Sequence, residues 1–271
     1  MSYETITVAP VTPVMGGEVS GLDLTAPLSD RQVEELRAAM ADRLVLFFRD
    51  QKLAHADHIR LAEYFGGVHV APSTAPWQVP GHPEVTIIHA DENSTFVAGE
   101  DWHSDMSCDE QPPMGSILYL HTIPPVGGDT VFSNMYAAYD ALSDRMKGYL
   151  DGLTAVHDAV MGFGGITPEG MKLPRNSHPV IRTHPVTGRK CIYVNRGFTT
   201  HIEGIPAIES RALLTFLYEH VQHPMFQCRF RWQPHSIAFW DNRCAQHSAI
   251  WDYFPQVRSG FRVQILGEKP E

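Results

Sequence analysis

The chain has 271 residues, of which 43% are hydrophobic and 19% charged, and its formal net charge is −10 at pH 7. This composition is typical of a globular protein, and the length allows a large core within one domain, with or without insertions. The negative charge argues against nucleic acid as a partner, because binding to phosphates requires a concentrated basic surface.

Cysteine spacing and hydropathy exclude further classes of protein. The four cysteines lie far apart, which favours neither a zinc site nor a disulfide framework. No apolar run approaches the roughly 20 residues that cross a bilayer, and the amino terminus lacks a signal-peptide pattern. We therefore expect a soluble, cytoplasmic protein with reduced thiols and no membrane partner. The cysteines are Cys108, Cys191, Cys228 and Cys244.

Helix and strand patterns alternate over the first 65 residues. Residues 1–19 predict two short strands around two prolines. The capping-box sequence Ser29-Asp30-Arg31-Gln32 predicts the start of a helix. The continuous apolar run at 44–48 predicts a buried strand, and residues 56–65 predict a second helix.

Strand patterns dominate after Gly66-Gly67. Helical spacing of apolar residues returns only at 135–142 and 208–221. Many strands with a few helices predict a mainly β protein with flanking helices around a double-stranded β-helix, or jelly-roll, core. The predicted strands lie at 85–88, 116–121, 180–183, 190–194, 227–232, 236–240 and 261–266.

One long segment has neither helical nor strand periodicity in its apolar residues. Residues 161–178 are rich in Gly, Pro and Met. Irregular segments of this length are usually active-site covers or disordered stretches, and both alternatives stay open. No internal repeat or interdomain linker is present, so we expect a single domain, 1–271, with a lid or insertion around 159–178.

A His-x-Asp pattern carries the chemistry, although it occurs three times, beginning at His55, His89 and His103. The first copy opens a helix pattern and the second ends a strand pattern. Only the third has matching features far along the chain. On an extended strand, His103 and Asp105 would point to one face. His247 would then complete two imidazoles and one carboxylate around a metal ion with open positions, the set used by non-haem Fe(II) oxygenases.

Two arginines follow His247. Apolar and polar residues alternate from 261 to 265, which predicts a strand with one polar face. If the strand extends back, Arg258 and Arg262 share that face, about 13 Å apart. Arginine binds carboxylates through two parallel hydrogen bonds, so this pair indicates sites for two anionic groups. The alternative is that one or both are solvated surface arginines.

Together with further motifs, these residues carry a resemblance to a known family. The sequence resembles, over nearly its whole length, the taurine dioxygenase (TauD/TfdA) family of Fe(II)- and 2-oxoglutarate-dependent oxygenases. The matching residues are Trp102-His103-Ser104-Asp105, Gly127-Gly128-Asp129-Thr130, Trp240-Asp241-Asn242-Arg243, His247, Arg258, Arg262 and Leu266-Gly267-Glu268-Lys269-Pro270.

The resemblance implies a metal site and a co-substrate site. His103, Asp105 and His247 would hold Fe(II), while Thr130 and Arg258 would bind the distal carboxylate of 2-oxoglutarate. Family chemistry consumes O2, releases succinate and CO2, and hydroxylates the substrate, with cleavage of the bond where the new hydroxyl shares a carbon with a heteroatom. Relatives tend to form dimers or tetramers, so we expect a homo-oligomer.

The resemblance also bears on the substrate. Arg262 matches the position that pairs with the substrate's anionic group, and Phe198 matches a residue that lines the substrate pocket. Taurine enzymes carry His-Pro-x-Tyr where this chain reads Ala71-Pro72-Ser73-Thr74, and asparagine where it has Gly99. Losing such partners costs about 1–3 kcal/mol per buried polar group, so taurine itself is disfavoured.

We therefore expect a small anionic substrate, namely a sulfonate, a sulfate ester or a carboxylate. An aryloxyalkanoate-type carboxylate is the alternative within the enzyme class, because several aromatic residues could line an apolar pocket. Outside that class, the alternatives are a non-redox metal-binding jelly roll and an interaction protein with core histidines. The aromatic residues that could line the pocket are Trp77, Phe198, Trp251 and Phe254.

Asp241 and Arg243 are expected to stabilise the turn before His247.

Overall fold

A computed structural model describes residues 3–165, 167 and 170–271 of the chain. The strands are β1 (Thr7–Pro10), β2 (Gly17–Ser20), β3 (Val45–Phe48), β4 (Val68–His69), β5 (Gln78–Val79), β6 (His82–Ala90), β7 (Gly115–Thr122), β8 (Thr130–Asn134), β9 (Thr154–Asp158), β10 (Arg175–Pro179), β11 (Ile181–Thr183), β12 (Lys190–Ile192), β13 (Thr199–Ile202), β14 (Gln227–Phe230), β15 (Ser236–Asp241), β16 (Ala245–Ala249) and β17 (Arg258–Ile265).

Helices are short and lie between the strands. The α-helices are α1 (Asp30–Arg43), α2 (His55–Glu63), α3 (Met135–Asp140), α4 (Asp144–Leu150), α5 (Val160–Phe163) and α6 (Ala207–Val221), and 3-10 turns occur at Pro72–Trp77 and Pro224–Phe226. No helix within the described part of the chain is both long and apolar enough to span a membrane.

A large sheet forms one wall of the molecule, with the strand order β1-β2-β3-β15-β7-β17-β6-β5 and β4 added beside β17. Its central strands are buried on both faces. On β7, Leu118 and Leu120 contact the inner core, while Ile117 and Tyr119 contact the outer core. Because successive residues of a strand face opposite sides, a strand covered on both sides reads as a continuous apolar run.

The second wall is a smaller sheet, β14-β8-β16. The inner core lies between it and the large sheet, as the shared cluster of Phe132, Trp240 and Phe47 shows. On the outer face of the large sheet, Leu36 of α1 and Leu61 of α2 join the second core. This arrangement confirms the predicted mainly β fold with a jelly-roll core and flanking helices.

Local sequence signals predicted several elements accurately. The Ser29 hydroxyl accepts a hydrogen bond from the Gln32 backbone N–H, and the Gln32 side chain accepts from the Ser29 backbone N–H, which confirms the capping box. The Asp57 carboxylate accepts from the Ala54 N–H at the start of α2, so the first His-x-Asp copy is a helix start. β17 extends back to Arg258 as expected.

The structure differs from the sequence prediction around 159–178. Val160–Phe163 forms α5, and Arg175–Pro179 forms β10, which pairs with β9. Both ends of the segment therefore form regular secondary structure, where the sequence predicted none. Part of the predicted lid, residues 166, 168 and 169, lies outside the described residues.

Candidate active site

The histidines of the predicted metal set are brought together by the backbone. His103 and His247 form an isolated antiparallel bridge, in which each N–H donates to the other's carbonyl oxygen over 3.0 and 2.9 Å. Since directly opposed residues share a face, the two rings lie together, with centroids 4.1 Å apart. His247 belongs to β16 of the smaller sheet, so this bridge fixes the loop that carries His103 to that sheet.

Asp105 completes the cluster, although not through the predicted strand. Only His103 has extended pairing, and Asp105 begins a turn that continues through Met106, whose φ is +48°. The Asp105 Oδ1 nevertheless lies 3.4 Å from the His103 Nε2 and 4.0 Å from the His247 Nε2. Ligand atoms on adjacent positions of one ion, each at roughly 2.0–2.2 Å from it, lie about 3 Å apart, so the cluster fits a metal ion.

Hydrogen bonds select which atoms of these side chains are free. The His103 Nδ1 lies 2.7 Å from the Asp101 carbonyl oxygen, which can only accept, so Nδ1 carries the proton and the Nε2 lone pair is available. The Ser116 hydroxyl donates to the Asp105 Oδ2 over 2.5 Å, which leaves Oδ1 to face the imidazoles. These contacts leave one nitrogen of His103 and one oxygen of Asp105 free to coordinate, and the His247 Nε2 faces the same oxygen.

Burial and charge favour the protonation states that bind metal. Burial lowers the pKa of His247 well below its ordinary value, and the neighbouring His103 adds to the effect. Burial opposes ionisation of Asp105, but the positive charge of Arg262 holds the pKa of that carboxyl well below its usual range. A neutral imidazole and an ionised carboxylate are the forms that coordinate a metal.

Arg258 and Thr130 lie beside the cluster. The Arg258 Nε donates to the Gly128 carbonyl oxygen over 3.0 Å. The Thr130 Oγ1 accepts hydrogen bonds from the Trp232 Nε1 and from an Arg258 NH2, over 3.0 and 3.3 Å. Since both lone pairs of that hydroxyl are used, its own proton is directed elsewhere, and Thr130 and Arg258 line a cavity shared with His103.

Arg262 lies against the metal set itself. Its NH1 donates to the Asp105 Oδ1 over 2.8 Å, while its buried Nε has no partner among the described residues. Arg262 and Arg258 stand four residues apart on β17 and both line the cavities at the site, which confirms their common face. The alternative of two solvated surface arginines is wrong.

Apolar walls enclose the remaining space. A cavity of about 310 Å³ next to His103 and Asp105 is bounded by Phe163 and Phe198, and the Phe198 ring lies 6.3 Å from the His103 ring. A second cavity of about 270 Å³ is bounded by Trp77 and opens to both arginines. Trp251 and Phe254 pack against each other instead and line neither cavity.

Two glycines let the backbone approach His103. A Cβ on Gly99, whose φ is +84°, would lie 2.9 Å from the His103 Cε1. A Cβ on Gly197 would lie 2.8 Å from the His103 Cβ. With this backbone, position 99 has no room for the asparagine of the taurine enzymes.

A second group of potential ligands, His184, Asp241 and Cys244, has another explanation. Arg243 donates two hydrogen bonds to the Asp241 carboxylate, over 2.9 and 2.7 Å. A guanidinium that binds both carboxylate oxygens competes with any cation for them. This network fixes the turn before His247, as expected for Asp241 and Arg243.

Sequence reasoning missed three residues of the site: Ser116, Trp232 and Asn242. Ser116 and Trp232 lie in predicted strands but far from the motifs they support, so no local pattern identifies them. Asn242 belongs to a quoted motif, but its partner, Asp105, is 137 residues away. The His-x-Asp copy at His89 lies on the exposed face of β6, where the ring contacts the Ser259 hydroxyl at 3.1 Å and its own Asp91 at 3.6 Å.

Comparison with known proteins identifies the family of the chain. The profile described as "Taurine catabolism dioxygenase TauD, TfdA family" matches residues 7–264. The chain belongs to this family. It is accordingly an Fe(II)- and 2-oxoglutarate-dependent dioxygenase, which confirms the enzyme class and cofactors expected from the resemblance and sets aside the non-redox and interaction-protein alternatives.

Individual relatives are similar in sequence to this chain over most of its length. A crystal structure of a taurine dioxygenase from Burkholderia xenovorans is 37% identical, with a TM-score of 0.87 over 98% of this chain and 91% of that one. An alpha-ketoglutarate-dependent sulfonate dioxygenase of Saccharomyces cerevisiae is 34% identical over 96% of this chain and 66% of its own length. An alpha-ketoglutarate-dependent sulfate ester dioxygenase of Pseudomonas putida is 32% identical over 97% and 90%.

The contact between Gly99 and His103 predicts the effect of a single methyl group. Gly81 has nearly the same φ, +83°, but nothing within 4 Å of its Cβ position. Alanine costs about 1–2 kcal/mol at a left-handed position, so Gly99→Ala and Gly81→Ala should both lower the free energy of unfolding. Only Gly99→Ala should also weaken Mn(II) binding, by roughly tenfold or more, measured by isothermal titration calorimetry. Equal Mn(II) dissociation constants for the two variants would contradict the contact.

Proposed function

We propose that this dioxygenase hydroxylates a small organic sulfonate or sulfate ester, with His103, Asp105 and His247 as the iron ligands. The observation that carries the proposal is the convergence of their three ligand atoms, all within 4.8 Å of one another, between two arginines on β17. Bound Fe(II) would supply the oxidative decarboxylation of 2-oxoglutarate to succinate and CO2 and the oxidation of a substrate C–H bond by O2.

In this proposal, Arg258 and Thr130 hold the far carboxylate of 2-oxoglutarate. Arg258 is 3% exposed, and a cation buried this deeply requires an anionic partner or strong acceptors. The Gly128 carbonyl and the Thr130 hydroxyl occupy only its Nε and one NH2. The remaining guanidinium donors and the Thr130 proton form a site for a carboxylate.

Arg262 would bind the anionic group of the substrate. It lines the cavities on both sides of the 96–99 loop, and its Nε has no partner among the described residues. Its contact with Asp105 places the anion next to the iron ligands, so the carbon beside a sulfonate or a sulfate ester oxygen would lie closest to the metal. Oxidation of such a carbon gives a product that releases sulfite or sulfate.

The walls favour an apolar substrate body over the amine of taurine. Phe163, Phe198 and Trp77 bound the two cavities, and Gly99 offers no hydrogen bond to an ammonium group. An aryloxyalkanoate carboxylate is the second candidate, because aromatic walls fit an aryl ring equally well.

Other predictions from the sequence belong to the same proposal. Phe163 of α5 contacts Phe198, with ring centroids 6.0 Å apart, so the 159–178 segment could cover the substrate and exclude water. The single domain 1–271, the dimer or tetramer and the cytoplasmic location stay predictions.

The metal assignment predicts that His103→Ala and His247→Ala each abolish substrate-dependent succinate formation, because two ligands do not retain Fe(II) at the site. The measurement is succinate release by purified enzyme supplied with Fe(II), ascorbate and a panel of sulfonates and sulfate esters. His55→Ala removes a histidine of the same His-x-Asp pattern that lines neither cavity, and it should keep wild-type turnover. Undiminished turnover in either folded ligand variant would disprove the assignment.

Substitutions of the two arginines should affect different Michaelis constants. Arg258→Gln is expected to raise the KM for 2-oxoglutarate at least tenfold, because a charge-assisted hydrogen bond to a carboxylate contributes about 1.5–3 kcal/mol. Arg262→Gln should mainly raise the KM for the sulfonate or sulfate ester. Both constants are measured by 2-oxoglutarate consumption. Equal effects of each substitution on both constants would contradict this division.

A further inference from the structure

We propose that Asn242 is a positioning residue, which holds Asp105 where its Oδ1 can meet the two histidines. The inference rests on the proposed role of Asp105 as an iron ligand. Asn242 itself touches neither histidine; it acts through the backbone of Asp105. Its side chain is 1% exposed and lies in the turn that connects β15 to β16.

The Asn242 amide binds both polar groups of the Asp105 backbone. Its Oδ1 accepts from the Asp105 N–H over 2.7 Å, and its Nδ2 donates to the Asp105 carbonyl oxygen over 2.8 Å. The same Nδ2 donates to the Pro113 carbonyl oxygen over 3.0 Å. One side chain thus replaces the strand pairing that Asp105 lacks.

Asp105 depends on this clamp because the strand neighbours of His103 do not extend to it. The chain turns at Asp105, and the left-handed Met106 follows. Ser116 fixes the Oδ2 end of the side chain. With the backbone held by Asn242 and Oδ2 held by Ser116, the direction of Oδ1 is determined.

The turn that carries Asn242 is itself anchored. The Asn242 N–H donates to the Met114 carbonyl over 2.9 Å, and Arg243 binds the Asp241 carboxylate through two hydrogen bonds. The His184 Nε2 lies 3.0 Å from the same carboxylate, and Glu268 lies 3.7 Å from Arg243. Within the Trp240-Asp241-Asn242-Arg243 motif, Asp241 and Arg243 therefore fix the position of Asn242, and Glu268 supports Arg243.

The same turn leads into β16. The turn ends at Cys244, and His247 follows three residues later on that strand. Asn242 therefore links the two ligand-bearing parts of the chain, since Asp105 and His247 are 142 positions apart. Asparagine suits the place because the site needs one acceptor and two donors. Aspartate would set a carboxylate oxygen against two carbonyl oxygens, and alanine would leave all three backbone groups without a partner.

The experiment is a comparison of Mn(II) dissociation constants, measured by titration calorimetry without 2-oxoglutarate. Wild type should bind one Mn(II), and His103→Ala should not; failure of this first step would disprove the proposed metal site, independently of Asn242. Asn242→Ala should weaken Mn(II) binding roughly 10- to 100-fold, the usual effect of removing a group that supports a ligand. Asn242→Ser, which keeps one hydroxyl, provides a milder variant if the alanine variant does not fold.

Asn134→Ala is the matched control. Asn134 is also buried, and its side chain also binds two backbone groups, the Val14 carbonyl and the Ala137 N–H, but it touches no proposed ligand. It should lower the Tm and leave Mn(II) affinity unchanged. At saturating Fe(II), the Asn242 variants should keep the wild-type KM for 2-oxoglutarate, since Arg258 and Thr130 do not contact Asn242. A folded Asn242 variant with a dissociation constant within threefold of wild type, or equal weakening by Asn134→Ala, would overturn the inference.

Discussion

The antiparallel bridge between His103 and His247 is the contact on which the rest of the active site depends. Two backbone hydrogen bonds join a loop that belongs to no sheet to the strand β16, and the imidazoles come together as a consequence. The surrounding contacts then need only to orient these rings and to add the carboxylate. Glycines at 99 and 197 permit the close approach, since a Cβ at either position would collide with His103.

Charge balance is the second constraint. Asp105, Arg258 and Arg262 are largely removed from water, and an isolated charge in such a place would be strongly destabilising. Arg262 neutralises Asp105 directly, while Arg258 relies on a carbonyl, a hydroxyl and, in our proposal, the carboxylate of 2-oxoglutarate. In our proposal, the substrate anion and the co-substrate anion complete the electrostatics of a site that contains two arginines and the Asp105 carboxylate.

Much of the fold was predictable because its signals are local. The capping box of α1, the continuous apolar run of β3 and the alternation of β17 each lie within a few residues, and β17 placed both arginines on one face. β8 and β16 were not predicted, since buried polar residues such as Ser133 and Gln246 interrupt their apolar pattern. The strand prediction for Asp105 was wrong because a tertiary contact from Asn242, not local pairing, holds that turn. Residue types and motif order identified the proposed ligands, but the groups that orient them come from distant parts of the chain.

Anomalous diffraction from crystals grown with Mn(II) would locate the metal and its ligands. We expect one strong manganese peak bounded by the Nε2 atoms of His103 and His247 and the Oδ1 of Asp105, each at roughly 2.0–2.3 Å. A peak at His184, Asp241 and Cys244 instead, or a peak whose ligands exclude Asp105, would contradict this expectation.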